Sequence, residues 1–304
     1  MVNAATASAE AVEAEFVALF ADISLEQAEA ALNLSEDLGF LKCQSNTYKL
    51  ASPFCRFLAT PEETQKAAVM RIVLEAYVPF TTFRSRLLAT ADSGSAARET
   101  KALLDLDASR EDIKNTLLSL GTFSQALVTA VGGKYTISSD TLENDLQVLA
   151  QSCTDDVSAE RRIREQLGDE AYDAVSLPET VRPLASALLY AASGDARSAV
   201  LNAGNAIESF LGSLAARKGV SLAGKNGINA KIDALVPLIS LPRKLKNVGK
   251  YLGHVRNAAD HGATDPDVTG TWTVRVSTGV EYVFVACSFI AAVSAWEKGK
   301  PPEI

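Results

Sequence analysis

The sequence has few of the residues from which metal sites and disulfide frameworks are built. Its 304 residues include two histidines and only four cysteines, at Cys43, Cys55, Cys153 and Cys287. The cysteines lie far apart and form no C-x-x-C pair, which suits neither a zinc site nor a disulfide scaffold. We therefore expect four reduced thiols and a cytoplasmic protein.

Long apolar segments are also scarce. The most apolar one, Val283 to Trp296, covers 14 residues, whereas a membrane-spanning helix needs about 20. Residues 1–14 have no basic stretch followed by an apolar one, the pattern of a secretory signal. The sequence thus predicts a buried core helix at 283–296 and no membrane partner.

Aromatic residues are few, at 7% of the chain, while Ala and Leu are abundant. This balance favours helices over sheets. A hydrophobic content of 47% with 22% charged residues is ordinary for a folded protein and excludes general disorder. We expect a mainly α fold with room for two or three domains.

Charge is divided unevenly along the chain. Residues 1–180 hold 15 Lys and Arg against 28 Asp and Glu, and residues 181–304 hold 14 against 9. Nine basic residues and one acid, Asp233, fall between Arg217 and Arg256. This pattern is typical of a polyphosphate-binding site at one end of the chain. A solvated basic face is the alternative.

The first 60 residues predict helices followed by a β-hairpin. Ser24 is a helix N-cap with Gln27 three residues later, and Gly39 ends that helix. Residues 40–42 and 48–50 flank a polar turn and predict a hairpin. Helices followed by a short hairpin resemble a winged-helix fold.

Residues 95–140 predict a second, similar unit. Ser109 is a further N-cap, and the pattern predicts a helix from Phe123 to Ala130 that leads into a strand at 134–137. Two long apolar helices, at 62–76 and 79–91, link the units.

A DNA-reading role for this region is disfavoured by its acidity. Residues 1–60 contain three basic residues against eight acids, and the segment Asn33 to Phe40 has no basic residue. We therefore expect residues 1–177 to form a sensing or regulatory region that contacts a protein, such as a phage-derived trigger. The domain boundary is predicted near Leu177-Pro178.

Residues 178–304 predict an up-and-down bundle of four or five helices. Val181 to Ala192 is one helix, and Asp195 caps a longer one. A short helix follows from Asn229 to Leu238, and the last helix extends to Lys298.

The helix from Arg243 to about Asp260 carries the candidate site. Its apolar residues recur at helical spacing and predict one buried stripe: Leu245, Val248, Leu252, Val255 and Ala259. At about 100° per residue, His254, Asn257 and His261 lie on the opposite face, and Arg256 lies at the edge of the stripe.

Both histidines fall in the segment GHVRNAADHG. Histidine transfers protons near neutral pH, and Arg256 can neutralise a phosphate while Asn257 orients His261. Chance clustering is the alternative. His254 and His261 are too far apart, about 10 Å along a helix, to share an ion. Asp260 could join His261, but a third ligand is lacking, so we expect no metal or cofactor.

The segment VRNAADHG resembles the Arg-[polar]-x-x-x-His signature of HEPN-domain ribonucleases, and AGNAIESFLGSLAARKG is similar to the second helix of their abortive-infection branch. The resemblance covers roughly residues 181–298. The Tyr that follows the histidine by two residues in the toxin–antitoxin branch is absent here, so the abortive-infection branch fits better.

This resemblance implies a metal-independent endoribonuclease of prokaryotic antiviral defence. His261 would act as general base or acid, Arg256 would hold the scissile phosphate, and Asn257 would complete the catalytic set. HEPN sites are usually composite, which implies a homodimer.

Further residues are candidates for supporting roles. Glu208 resembles an acidic position that supports the motif arginine, although a solvent-facing helix position is the alternative. His254 and Asp260 are the other supporting candidates. Contact with RNA is expected from the basic residues earlier in the same helix: Arg243, Lys244, Lys246 and Lys250.

Two other functions remain open. The bundle could be a non-catalytic scaffold for dimerisation or RNA binding, in which Arg256 and His261 hold structure. The winged-helix-like units could instead belong to a transcription regulator, against which their acidity argues.

Overall fold

The computed structural model describes residues 11–51, 53–59, 62–130, 134–139, 142–261 and 272–302; the side chains of Pro53, Leu142, Glu143 and His261 are outside this description. The described chain is mainly helical, as predicted. Its α-helices are α1 Ala14–Ala21, α2 Leu25–Asp37, α3 Glu63–Ala76, α4 Val78–Thr90, α5 Ser93–Leu104, α6 Arg110–Phe123, α7 Leu142–Gln151, α8 Asp156–Leu167, α9 Asp169–Tyr172, α10 Arg182–Ala192, α11 Ala196–Arg217, α12 Gly227–Ile239, α13 Arg243–His261 and α14 Val276–Glu297. The strands are β1 Leu41–Gln44, β2 Thr47–Leu50, β3 Leu127–Thr129 and β4 Tyr135–Ile137, and a 3₁₀ helix covers Pro53–Ala59.

The chain divides into two compact units between Leu149 and Ala150. The boundary predicted near Leu177-Pro178 is therefore too late. The reason is packing: α8 lies against α10 and α14 and buries Ile163 in the second unit. Pro178 lies in a short π-helix, Leu177–Val181, that continues directly into α10.

The first unit begins with two helices and a hairpin, as predicted. Ser24 and Gln27 form a capping box, in which the Gln27 backbone N donates to Ser24 Oγ at 3.2 Å and the Ser24 backbone N donates to Gln27 Oε1 at 3.1 Å. β1 pairs antiparallel with β2, and Val12 bridges to Tyr48 on the far side of β2. The local pattern is confirmed, whereas the winged-helix architecture stays a prediction.

The second hairpin corrects one sequence prediction. Residues 123–130 do not form a helix: α6 ends at Phe123, and β3 pairs antiparallel with β4 from Leu127 opposite Ile137. Gln125, with φ +58°, turns the chain. Val and Thr in β3 and Tyr, Thr and Ile in β4 favour strands once a partner is present, so pairing overrides the helical pattern. Residues 131–133, between the two strands, lie outside the described residues.

The second unit is built around α11, which packs against α10, α12, α13 and α14. Its buried side chains include Val200, Ala203, Ala206, Ile207, Phe210, Leu211 and Leu214. Asp195 caps this helix by accepting from the Ser198 backbone N at 3.0 Å. A helical bundle is therefore present, and its assignment to the HEPN family stays a prediction.

Helix α14 contains the apolar segment 283–296. By length and composition it could cross a membrane, but 61% of its most apolar window is buried inside the chain. Val283, Phe289 and Ile290 are fully buried. This burial fits the predicted core helix.

The contact between α6 and β3 predicts that Gly121→Ala destabilises the first unit. A Cβ at Gly121 would lie 2.6 Å from Leu127 Cδ1 and 2.9 Å from Phe80 Cε2, so overpacking should cost about 1–3 kcal/mol in the free energy of unfolding. Urea unfolding followed by circular dichroism measures this.

The matched control is Gly212→Ala in α11, where the added Cβ meets no heavy atom within 4 Å. Because Ala is the better helix former, this variant should gain about 1 kcal/mol. Equal stability of Gly121→Ala and wild type would contradict the packing of β3 on α6.

Candidate functional site

Helix α13 presents the two faces that its sequence predicts. Leu245, Leu252 and Ala259 are buried, and Val248 and Val255 are half-buried along the same stripe. The opposite face of the helix is exposed to solvent, so a ligand can approach it.

The candidate catalytic residues lie at the C-terminal end of this helix. His254 and Asn257 are exposed. The backbone of His261 is the last residue of the helix. Its side chain and residues 262–271 lie outside the described residues.

Arg256 is held between two carboxylates. Its Nη1 donates to Asp260 Oδ2 at 3.0 Å, one helical turn away, and its Nε lies 3.4 Å from Glu208 Oε1 on α11. The side chains of Arg256 and Glu208 are 19% and 17% exposed. Glu208 is thus not a solvent-facing residue, and both it and Asp260 fix the direction of the guanidinium.

The position of Arg256 depends on a glycine in the neighbouring helix. An ideal Cβ built on Gly204 of α11 would lie 2.6 Å from Arg256 Cγ. The aliphatic stem of Arg256 therefore lies directly over Gly204, in space that any larger residue would fill.

Tyr282 of α14 is hydrogen-bonded to the backbone of α13, one helical turn before Arg256. Its hydroxyl donates to the Leu252 carbonyl at 2.9 Å. Burial is the main cause that raises the pKa of Tyr282, so the phenol stays a neutral donor at ordinary pH.

Sequence reasoning missed both Tyr282 and Gly204. A glycine inside the Ala-rich segment AGNA was the one available signal, because glycine weakens a helix interior unless close packing needs it.

Glu208 also contacts a second cation. Lys231 Nζ lies 3.5 Å from Glu208 Oε2 and donates to the Glu208 carbonyl at 3.0 Å. Two cations and two carboxylates thus form one cluster, and their formal charges balance. A bound phosphate would bring the negative charge that the surrounding basic surface favours.

The predicted RNA-contacting residues differ in their surroundings. Arg243 and Lys244 are exposed, and Lys246 is half-buried. Lys250 instead holds α12, because its Nζ donates to Asp233 Oδ2 at 2.5 Å and to the Asn229 carbonyl at 3.3 Å. Arg243 and Lys244 are therefore the stronger candidates for phosphate contact.

One exposed cation near the motif was not identified from the sequence. Arg197, in the first turn of α11, donates from Nη2 to the Asp260 carbonyl at 3.0 Å. This bond ties the N-terminus of α11 to the C-terminal end of α13 and places a second guanidinium beside the motif.

Metal binding finds no support in the described part of the chain. Within residues 11–261 and 272–302, apart from the gaps named above, no group of three His, Cys, Asp or Glu is placed to hold an ion. All four cysteines are free thiols, with Cys43 exposed and the others buried. The expectation that the site needs no metal stays a prediction.

Comparison with family models, curated proteins and solved structures finds no match to this chain. The HEPN resemblance therefore rests on the motif residues and on their place at the end of α13.

The ion cluster predicts unequal effects of two nearby substitutions on stability. Arg256→Ala leaves the mostly buried Glu208 carboxylate with Lys231 alone and should lower the free energy of unfolding by about 1–3 kcal/mol. His254→Ala removes an exposed side chain and should change it by less than about 0.5 kcal/mol. Urea denaturation of both variants measures the difference, and equal losses would be incompatible with the described cluster.

Proposed function

We propose that this protein is a metal-independent endoribonuclease of the HEPN type, with Arg256, Asn257 and His261 as its catalytic residues. The observation that carries the proposal is the position of the Arg256 side chain. Its guanidinium is held where α11 and α13 contact each other, next to the exposed Asn257. The helix ends at His261, one turn after Asn257.

The chemistry that these side chains can perform is cleavage by the ribose 2′-hydroxyl. A His261 imidazole takes the 2′-hydroxyl proton, the 2′-oxygen attacks phosphorus, and the 5′-oxygen leaves with a proton from an imidazolium. Arg256 stabilises the charge that grows on the phosphate oxygens, and Asn257 donates to the same group. The products are a 2′,3′-cyclic phosphate and a free 5′-hydroxyl.

A homodimer provides both the base and the acid. Each copy contributes one His261, so two copies facing each other supply the two imidazoles that the reaction needs. The exposed row of His254 and Asn257 on α13 is the surface that would meet in such a dimer.

The wider biological role follows from the family resemblance. We place the protein in the cytoplasm, without a membrane partner, as an effector of abortive infection. In this proposal the acidic first unit senses or restrains, and the basic residues within 181–304 bind RNA.

A non-catalytic scaffold is the second candidate, and one observation favours it. Arg256 is already engaged by Glu208 and Asp260, as a purely structural arginine would be. RNA binding and dimerisation without cleavage would then be the function.

Cleavage of a mixed structured and single-stranded RNA in EDTA separates the two candidates. Wild type should produce 2′,3′-cyclic phosphate ends, and His261→Ala should be slower by at least about 100-fold because a proton-transfer group is lost. The control is the other histidine: His254→Ala should slow cleavage by less than about tenfold, because His254 lies in the proposed dimer surface but transfers no proton in the reaction. Dimers that bind RNA but never cleave it would favour the scaffold.

The exposed end of α13 predicts how RNA binding depends on salt. In a His261→Ala background, Arg243→Ala should reduce the slope of log affinity against log salt by about 0.7, because one phosphate contact with single-stranded RNA is lost. Arg161→Ala is the matched control, since Arg161 is exposed on α8, which packs against α10 and α14. An unchanged slope for Arg243→Ala would remove this residue from the RNA-binding surface.

A further inference from the structure

A groove opens between α2 and α6 in the first unit. The groove consists of two cavities of about 620 and 330 Å³, and the side chains of Ala31 and Leu34 line both of them. Neither helix covers the other, because α2 packs against α1 and β1 whereas α6 packs mainly against α5 and β3. The groove is therefore open along both helices.

Its length corresponds to about three helical turns. The lining positions run from Gln27 on α2 to Leu38, directly after its end, and from Asp112 to Phe123 on α6. Each series spans about 16 Å at 1.5 Å per residue. The floor is mainly apolar and is formed by side chains from both helices and from α3: Ala31, Leu34, Leu38, Met70, Leu117 and Leu120. Lys66 of α3 also lines the smaller cavity and pairs with Glu63.

The rim of the larger cavity is acidic. Asp37, Asp107 and Asp112 line it, and none of its described lining residues is Lys or Arg. The nearby Lys101 ammonium is bound to the backbone carbonyls of Leu106, Asp107 and Ala108. Asp112 accepts a hydrogen bond from the Ser109 hydroxyl.

We propose that this groove is the docking site for one amphipathic helix of a partner protein, with apolar anchors on the floor and Lys or Arg over the acidic rim. Apolar lining residues spread over about three turns of each helix match the i, i+3, i+4, i+7 anchors of a helix bound in a groove. The three carboxylates supply charge complementarity, which selects a basic helix over an acidic one.

No segment of this sequence outside the described residues has the charges of such a helix. The sequence segments outside the described residues, including 1–10 and 262–271, contain no Lys or Arg. They therefore lack the charges that complement the rim. The proposal is independent of the ribonuclease proposal, because the groove belongs wholly to the first unit.

Fluorescence anisotropy with the full chain tests the proposal. The probe is a labelled synthetic peptide of about 16 residues with Leu at i, i+3, i+4 and i+7 and three Lys near one end. The acidic control peptide has Glu in place of each Lys. The basic peptide should bind at least about tenfold more tightly, and added salt should reduce the difference. Equal affinities would overturn the proposal.

Two tryptophan variants test the location. Ala30 is exposed and lines the larger cavity, whereas Ala102 is exposed on α5 and lines neither cavity. Ala30→Trp should fill the groove and weaken the basic peptide at least about tenfold, while Ala102→Trp should leave its affinity unchanged. Equal affinities of the two variants would show that the peptide binds elsewhere.

A charge variant keeps the test decisive if Ala30→Trp fails to fold. Asp37 is the last residue of α2, where a negative charge opposes the helix dipole, so Asp37→Asn should not reduce stability. It should weaken the basic peptide about threefold and leave the acidic peptide no weaker. An unchanged affinity for the basic peptide would overturn the role of the rim.

Discussion

The close approach of α11 and α13 at Gly204 is the contact on which the candidate site depends. Because Gly204 has no side chain, the stem of Arg256 can lie against α11, and its guanidinium comes within reach of Glu208. The same approach leaves Asn257 on the exposed face of α13. Arg256 is thus positioned by packing and by charge at once, which limits the conformational freedom of its side chain.

The carboxylates around Arg256 have two opposing consequences. Glu208 and Asp260 fix the guanidinium, yet they also occupy part of its hydrogen-bonding capacity. Lys231 offsets this by pairing with Glu208. The basic excess of residues 181–304 then favours an incoming phosphate, whereas the acidic first unit is suited to a basic protein partner. The acidic first unit and the basic residues within 181–304 thus suit different partners.

Local features were predictable from the sequence, and long-range ones were not. Ser24 and Asp195 cap their helices as predicted, because each cap joins a side chain to a backbone N–H three residues away. The buried stripe of α13 followed from periodicity. Residues 123–130 were predicted wrongly, since strand pairing depends on a partner remote in sequence. The contact of Gly204 with Arg256 likewise requires two helices to be packed, and no local pattern reports it.

RNA cleavage by the Gly204→Ala variant tests most directly whether the position of the Arg256 side chain matters for the proposed ribonuclease activity. We expect this variant to fold and to cleave RNA at least about tenfold more slowly than wild type, because a small displacement of a positioned catalytic group strongly lowers the reaction rate. Gly212→Ala, in the same helix with no neighbour within 4 Å of the added Cβ, should cleave like wild type. Wild-type cleavage by Gly204→Ala would contradict the claim that this glycine positions a catalytic arginine.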